Sequence, residues 1–590
     1  MSKTIKLTLA VCSLAALAAL VAPWSLTDAA VRREIATFVK QKTGLDGDLD
    51  GRMVLALAPQ PTLKIEDVVF RDPAGAIVVQ AATFKGALRL LPLFAGRIEL
   101  ASISLADALI DIDAGKLSAS ASANHIPDPR GDINLTATRI NLRNGGRLLA
   151  TFADVDAAYE WPPAAAAASL SARGLWNGEK MEAAVWLGRF DNFRRGETSP
   201  ATIRFETPRG TISVNGQTEL APGPLLQGKL SLTSPLFSAL MTAWGIDNPL
   251  PAPLRGLNAG GSFKITPQSL ALTDARISVD GTSYEGSLAL DWREDRPLLS
   301  GTLAANQLQL APFAARLPTL SGENGWNVET IGKPGLSSLD LDLRLSASRA
   351  RLARFQVQDA GIAVKAADGQ LDVSLIDARG YGGRLKGRFS ANAREAGLGV
   401  KLTAGFTQID AAALLGDLFR INLVTGEASG NLTLEGAGDC IADIVETLSG
   451  RIEATVQNGD ILGFDLDSAL RRTEKRPLSV ASEMRRGRTS FARATLSGRI
   501  DNGNLELDET IATGFSLATQ ISGAVRLPER SLQLRLSSTH TAANGAPRPD
   551  APRLNLDING AWDDPQVLLD FESLLRKSEA AAPLFSNPPP

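Results

Sequence analysis

The chain has 590 residues, of which 44% are hydrophobic, so it is long enough to bury large apolar surfaces. Its 61 basic and 64 acidic residues give a formal net charge of −3, without a basic stripe that could follow a phosphate backbone, which disfavours nucleic-acid binding. The 2 cysteines offer no disulfide framework and the 2 histidines have no zinc-ligand spacing, so we expect no metal and no cofactor.

An uncharged apolar stretch runs from Leu7 to Leu26, behind Lys3 and Lys6. A helix of about twenty residues is about 30 Å long, which matches the hydrocarbon core of a bilayer. Since positive residues stay in the cytoplasm, we expect a single-pass anchor with a cytoplasmic amino terminus and the bulk of the chain outside. The alternative is a cleaved signal peptide, whose apolar region is usually only about 7 to 15 residues long. The predicted anchor residues are Leu7, Leu9, Val11, Leu14, Leu17, Leu20, Val21, Trp24 and Leu26.

A basic amphipathic helix is predicted next, with Asp28 as its N-cap and Gly44 at its end. Val31, Ile35 and Val39 lie on its apolar side. Such a helix can lie on a membrane surface or pack as the first helix of a domain, and the pattern leaves both open.

Short strands follow the helix. The apolar positions from Leu63 to Phe70, the turn Asp72–Gly75 and the run Ile77–Val79 predict a hairpin. Two further strands are expected, at Ile98–Leu105 and at Ala108–Ile112. Helices are predicted to interrupt the later strands at Ser234–Trp244, Ile409–Phe419, Asp439–Leu448 and Asp465–Arg472.

Strict alternation of apolar and polar residues dominates the later part of the chain. The run from Leu339 to Leu345 places a leucine at every second position, and turns such as Asp368-Gly369 and Asn502-Gly503 separate similar runs. Each such strand has one apolar and one polar side. The apolar positions that we expect to share one face are Leu339, Leu341, Leu343, Leu345, Leu371, Val373, Leu375, Leu505, Leu507, Leu532, Leu534 and Leu536.

This pattern predicts a mainly β protein with a few helices, in which a transmembrane helix precedes an elongated, twisted, antiparallel-rich sheet. The predicted helices are too few to cover the apolar face of so many hairpins. The face therefore either closes on itself, as in a sandwich or barrel, or forms an open apolar groove that holds a ligand. We expect the open groove, lined by the leucines and the valine that we expect to share one face.

Two groups of motifs stand out in the chain. The first comprises Pro61–Val68, Asp72–Gly75 and Leu88–Ile98. The second comprises Leu448–Ile452, Val456–Leu466, Thr489–Phe491 and Ile521–Val525. Both groups resemble the AsmA family. Together they suggest an anchor with a cytoplasmic stub (1–27), an AsmA-like amino-terminal region (28–120), a central β-rich region (121–424), an AsmA-like carboxyl-terminal region (425–575) and a disordered tail (576–590). Between Ser120 and Val424 the resemblance rests on the strand pattern alone.

The resemblance implies a bacterial inner-membrane protein whose bulk lies in the periplasm and serves outer-membrane biogenesis. Its expected partners are the inner membrane, membrane phospholipid and an envelope protein. We expect a non-enzymatic lipid-handling protein that shields or conducts phospholipid. The alternatives are an envelope scaffold that promotes outer-membrane protein insertion with a closed, ligand-free core, and an enzyme acting on envelope glycan or lipid.

Overall fold

A computed structural model describes residues 24–26, 29–57, 60–89, 92, 99–113, 115–116, 131–162, 166–219, 225–239, 256–292, 296–311, 319–322, 325–331, 339–394, 397–419, 423–473, 487–541 and 553–570. These residues fall into two compact units, one ending at Gly281 and the other beginning at Thr282.

The first unit consists of strands with two helices whose bounds lie within the described residues. Its elements are β1 (Trp24–Leu26), α1 (Ala29–Thr43), β2 (Asp46–Asp48), β3 (Met53–Ala56), β4 (Thr62–Arg71), β5 (Ile77–Leu88), β6 (Leu100–Asp113), β7 (Gly131–Asn144), β8 (Arg147–Trp161), β9 (Ala168–Trp176), β10 (Glu179–Leu187), α2 (Phe190–Arg194), β11 (Ser199–Thr207), β12 (Gly210–Glu219), β13 (Leu225–Ser234), β14 (Leu257–Thr266) and β15 (Ser269–Val279).

The second unit repeats this composition with three helices among its described residues. Its elements are β16 (Thr282–Asp291), β17 (Leu298–Gln309), β18 (Ser321–Gly322), β19 (Gly325–Trp326), β20 (Asp340–Leu352), β21 (Phe355–Ala367), β22 (Gln370–Gly380), β23 (Gly383–Arg394), β24 (Gly397–Asp410), α3 (Ala411–Phe419), β25 (Glu427–Gly438), α4 (Ile441–Glu446), β26 (Ser449–Leu462), α5 (Leu466–Thr473), β27 (Arg488–Asp501), β28 (Asn504–Thr513), β29 (Leu517–Arg526), β30 (Ser531–His540), β31 (Arg553–Ala561) and β32 (Gln566–Leu569).

Successive strands of the second unit pair with their neighbours in the chain. From β20 to β32 every pair is antiparallel, as the short turns at Asp368-Gly369 and Asn502-Gly503 predict. Among the described strands, two pairs are parallel, β6 with β7 and β17 with β20, because a longer connection returns the chain to the same end of the strands. The predicted mainly β, antiparallel-rich fold is confirmed.

Helix α1 packs against the first strands. Ile35 and Val39 are buried in one cluster with Ile65 and Phe84, which are 0% and 1% exposed. This packing stabilises the unit because burying each large apolar side chain contributes about 1.5 to 3 kcal/mol. The amphipathic helix therefore packs as the first helix of the unit, with its apolar side on the sheet.

Several strands contain a local kink at a residue with positive φ. Asp107 in β6 has φ 53°, and Asp359, Gln408 and Asn458 occupy similar positions in β21, β24 and β26. Such an irregularity shifts the side-chain alternation by one residue while the strand continues. The two strands predicted around Asp107 are therefore one strand, β6, and that prediction was wrong.

The structure describes only part of the predicted anchor. Residues 7–23 lie outside the described residues, but Trp24 and Leu26 belong to strand β1, which pairs with β3. Their assignment to a transmembrane helix is wrong, because Pro23 disfavours continuation of a helix and the two residues instead extend the edge of a sheet. No helix in the described ranges is long and apolar enough to span a bilayer.

The helices predicted at Ile409–Phe419, Asp439–Leu448 and Asp465–Arg472 exist with shifted ends. Of the predicted Ser234–Trp244, residues 237–239 are helical. Ser234 and Ile409 belong to strands β13 and β24. The Ser234 hydroxyl donates to the Arg209 carbonyl at 2.6 Å, which favours the extended chain there. Asp410 and Asp465 accept from the backbone N–H groups of Ala413 and Ser468 at the starts of α3 and α5. Of the predicted helix Ser234–Trp244, residues 240–244 lie outside the described part.

Candidate functional site

The apolar positions predicted from the sequence lie on one face of the second unit's sheet. Residues that pair directly across neighbouring strands point to the same side, so the register alone defines a row. One such row crosses every strand from β20 to β31 and consists of Leu343, Val364, Val373, Phe389, Leu402, Leu434, Gly450, Ile500, Leu505, Val525, Leu532 and Gly560. Every member is apolar or glycine.

A second row lies two residues away along each strand and has the same character. It consists of Leu345, Ile362, Leu375, Gly387, Ala404, Leu432, Ile452, Gly498, Leu507, Gly523, Leu534, Ile558 and Val567. We call the two rows together the apolar stripe. Residues two apart on a strand are separated by about 7 Å, so neighbouring side chains of the two rows form one continuous surface.

The remaining predicted positions extend this stripe. Leu341 and Leu371 are joined on its face through Ala366, which pairs with both. Leu536 pairs with Ile521 and Leu556 on the same face. Leu339 precedes β20 and carries no strand pairing. Sequence alternation therefore identified residues from distant hairpins that the fold brings to one face.

Exposure distinguishes the stripe from an ordinary core. The predicted positions are half-buried, except Leu536, which is 8% exposed, and Phe389 in the first row is 37% exposed. By contrast, residues beneath α1 such as Ile65 are fully buried. In the described part of the second unit, the only other sheet is the two-stranded pair β18 and β19. The stripe thus presents apolar side chains that the described strands leave partly open.

The opposite face of the same strands is polar. The row between the two apolar rows consists of Arg344, Ala363, Ser374, Arg388, Thr403, Thr433, Arg451, Arg499, Glu506, Ala524, Gln533 and Asn559. Lys365 pairs with Asp342 at 3.4 Å, and Arg535 pairs with Asp557 at 2.8 Å. A depression of about 500 Å³ on this face is lined by polar residues such as Asp372 and Lys401. The sheet therefore has one wet side and one apolar side.

Helix α5 covers the stripe's face at one end of β30 and β31. Leu466 and Leu470 are buried against Leu536, Leu554 and Leu556, all at most 8% exposed. Asp465 and Asp467 both stabilise this helix. Asp465 caps its start, and Asp467 pairs with Arg471 and accepts from the Ser516 hydroxyl at 2.9 Å.

The first unit carries a similar row that the sequence reasoning did not select. It runs from β4 to β15 through Ile65, Phe84, Leu105, Leu135, Ala157, Ala172, Ala183, Phe205, Ile212, Leu232, Ala259 and Ile277. Alanine supplies several of these positions, so the hydropathy contrast between alternating residues is weak. Alternation counted with alanine as apolar would have found it.

Residues 314–510 match the AsmA family, which confirms the family that the motifs indicate. The matched region contains the motifs from Leu448 to Phe491 and begins within the segment where only the strand pattern suggested the family. It does not include the motifs Pro61–Val68 and Ile521–Val525. Comparison with curated proteins and with solved structures gave no match. A match to this family suggests a role in biogenesis of the outer membrane.

Proposed function

We propose that this protein is a non-enzymatic lipid-handling protein of the bacterial envelope, whose apolar stripe shields or conducts phospholipid acyl chains in support of outer-membrane assembly. One observation carries the proposal. Two adjacent rows cross all strands from β20 to β31 without a charged or polar side chain, and most members remain half-exposed.

Energetics explain why such a surface suits a lipid. Exposing an acyl chain to water costs about 0.8 kcal/mol per methylene, so a phospholipid with about 30 methylenes faces a barrier on the order of 20 kcal/mol outside a membrane. An unbroken apolar surface lowers this barrier by replacing water along the chain. Shielding of this kind requires no catalytic group, and the polar opposite face keeps the strands compatible with water.

The same function explains the expected location. An anchor within residues 7–23, behind Lys3 and Lys6, would hold the sheet in the periplasm beside the inner membrane, where phospholipid is available. Protease added to spheroplasts is expected to digest the body of the chain while the mature protein keeps its first residues. A mature amino terminus near Ala29 would instead identify a cleaved signal peptide.

Paired crosslinkers test the lipid site directly. A photo-crosslinking residue at Val373 points into the stripe, and one at Ser374 on the same strand points to the polar face. Leu505 with Glu506 and Leu532 with Gln533 form two further matched pairs. We expect phospholipid to be captured in cells at Val373, Leu505 and Leu532 and not at their neighbours.

The outcome separates this function from the scaffold. Equal capture on both faces, or capture at neither, would contradict a lipid surface. Absence of lipid together with protein crosslinks at the stripe positions would favour an envelope scaffold for outer-membrane protein insertion.

A further inference from the structure

Helix α4 lies against the stripe's face near the end of strand β25. Gly436 and Gly438 pair with Val400 and Leu398, so they point to the same side as the stripe. A Cβ atom at Gly436 would lie 2.7 Å from the Ile444 carbonyl oxygen, and one at Gly438 would lie 2.3 Å from the Asp443 Cβ. The helix therefore approaches so closely that only glycine fits beneath it.

Local hydrogen bonds fix both ends of α4. The Asp443 carboxylate accepts from the Cys440 backbone N–H at 3.3 Å, and the Cys440 Sγ accepts from the Asp443 N–H at 3.5 Å, which forms a capping box. At the other end, the Thr447 hydroxyl donates to the Ala437 carbonyl at 2.6 Å. These bonds hold the short helix to the strand that it covers.

A segment far away in sequence, Gly325–Ile331, lies across this helix. We call it the brace. Its Asn327 carbonyl accepts from the Ala442 N–H at 3.1 Å, and its Ile331 N–H donates to the Asp439 carbonyl at 2.8 Å. These two bonds attach the brace to the first turn of α4.

The brace is fastened on its other side to the turn between β29 and β30. The Trp326 Nε1–H donates to the Leu527 carbonyl at 2.7 Å, and the Arg530 guanidinium donates to the Gly325 carbonyl at 2.7 Å. That guanidinium lies 4.5 Å from the centre of the Trp326 ring and 5.8 Å from that of Trp562. Cation–π contacts of this kind contribute to holding the brace in place.

We propose that α4 and the brace form an end wall of the lipid surface, which confines acyl chains to the stripe and prevents them from leaving where β25 ends. This inference rests on the proposed lipid-handling function. Its structural basis is independent, since α4 covers the stripe's face and the brace joins α4 to the β29–β30 turn, which is the fourth strand connection after α4.

Cys440 provides a reporter of the wall that does not depend on lipid. Cys440 is 8% exposed. The chain has 2 cysteines, so a Cys12→Ser background leaves Cys440 as the single thiol. In that background Arg530→Ala should raise the rate of maleimide labelling about tenfold or more by releasing the brace. Arg535→Ala is the matched control, because Arg535 pairs with Asp557 on the polar face of β30.

The labelling result decides the role of the brace. Equal labelling rates for Arg530→Ala and Arg535→Ala, in proteins with unchanged circular dichroism, would overturn the proposal. If Arg530→Ala does not fold, Trp326→Phe serves as the second variant, because it removes the Nε1 donor to Leu527 and keeps an aromatic ring beside Arg530. That variant should also label faster than the control.

Crosslinkers on the two sides of the wall test its function. Leu434 lies in the stripe, and Glu446 is exposed at the end of α4. Phospholipid should be captured at Leu434 but not at Glu446 in the unaltered chain, and at both in Arg530→Ala. Capture at both positions in the unaltered chain would overturn the wall alone. Absence of capture at Leu434 would overturn the proposed function, while Cys440 labelling would still report the brace.

Discussion

Leu341 lies directly opposite Ala366 across β20 and β21, and Ala366 lies opposite Leu371 on β22. These three side chains share the face of the stripe, and Leu341 is half-buried although it sits in the middle of a sheet. A leucine in a closed core at such a central position would be fully buried. The relationship therefore allows an open surface to be distinguished from a core by mutation.

Leu341→Asp is expected to weaken lipid capture strongly while lowering the free energy of unfolding by only about 1 to 2 kcal/mol, since the new carboxylate retains access to water. Leu470→Asp is the matched comparison, because Leu470 of α5 is 0% exposed where the helix packs on the sheet, and an unpaired charge there should cost several kcal/mol. Urea unfolding and crosslinking measure both effects. Collapse of Leu341→Asp to the level of Leu470→Asp would favour the closed scaffold.

Conduction requires that the stripe be continuous between distant strands. A gap that exposes ten methylenes would cost about 8 kcal/mol, roughly a millionfold in rate. Ala404→Trp places a large ring in the second row between Val373 and Leu505, and Thr403→Trp places the same ring on the polar face. We expect Ala404→Trp alone to lower lipid capture at one of these two positions while the other persists. Unchanged capture at both would indicate separate binding sites.

Sequence alternation was sufficient to predict which side of each strand is apolar. It did not identify the strands that pair with it. The spacing of Leu339 to Leu345 predicts which side is apolar, because side chains in a strand alternate. The partners of Leu345 include Leu303 across a parallel pair, whose connection passes through the β18 and β19 segment. Such pairings depend on contacts between distant segments, which no local pattern encodes.

Kinks and long-range contacts account for what the sequence did not reveal. Asp107 lies between the two strands predicted at Ile98–Leu105 and Ala108–Ile112, and its positive φ shifts the alternation within one continuous strand. Gly387 and Gly523 occupy the stripe, but glycine has no apolar side chain that alternation could reveal. The brace was not predicted, since Trp326 bonds to a carbonyl 201 positions away.

The capping box of α4 predicts a graded effect at Cys440. Removing an N-cap side chain costs about 1 kcal/mol, because one backbone N–H of the first turn loses its acceptor. Cys440→Ala should lower the free energy of unfolding by about this amount, whereas Cys440→Ser should match or exceed the original stability because oxygen is the better acceptor. Urea unfolding compares the two variants. Equal stability of the alanine and serine variants would show that the thiol does not cap the helix.

Tyr381 links the position of helix α3 to alkaline pH. Its hydroxyl donates to the Asp417 carboxylate at 3.0 Å and accepts from the Gln356 N–H at 3.4 Å. Burial, with the adjacent Asp417 carboxylate, raises the pKa of Tyr381 above its usual value of about 10. Because the folded pKa is the higher one, the stabilisation is fully present below about pH 10 and is lost as the pH rises through the folded pKa.

Tyr381→Phe should therefore lower the free energy of unfolding by about 1 kcal/mol at pH 8, through loss of the hydrogen bond to Asp417. The variant should lose less stability than the original chain between pH 9 and pH 11, a range that we estimate from the pKa of about 10. Tyr284→Phe is the comparison, since burial alone raises the pKa of Tyr284 and this variant therefore reports the pH dependence that arises without a contact to Asp417. Urea unfolding across this range measures both variants. The Asp417 carboxylate can accept a hydrogen bond only from the neutral hydroxyl of Tyr381. An unchanged pH dependence of the unfolding free energy in Tyr381→Phe would therefore show that ionisation of Tyr381 does not control the docking of α3.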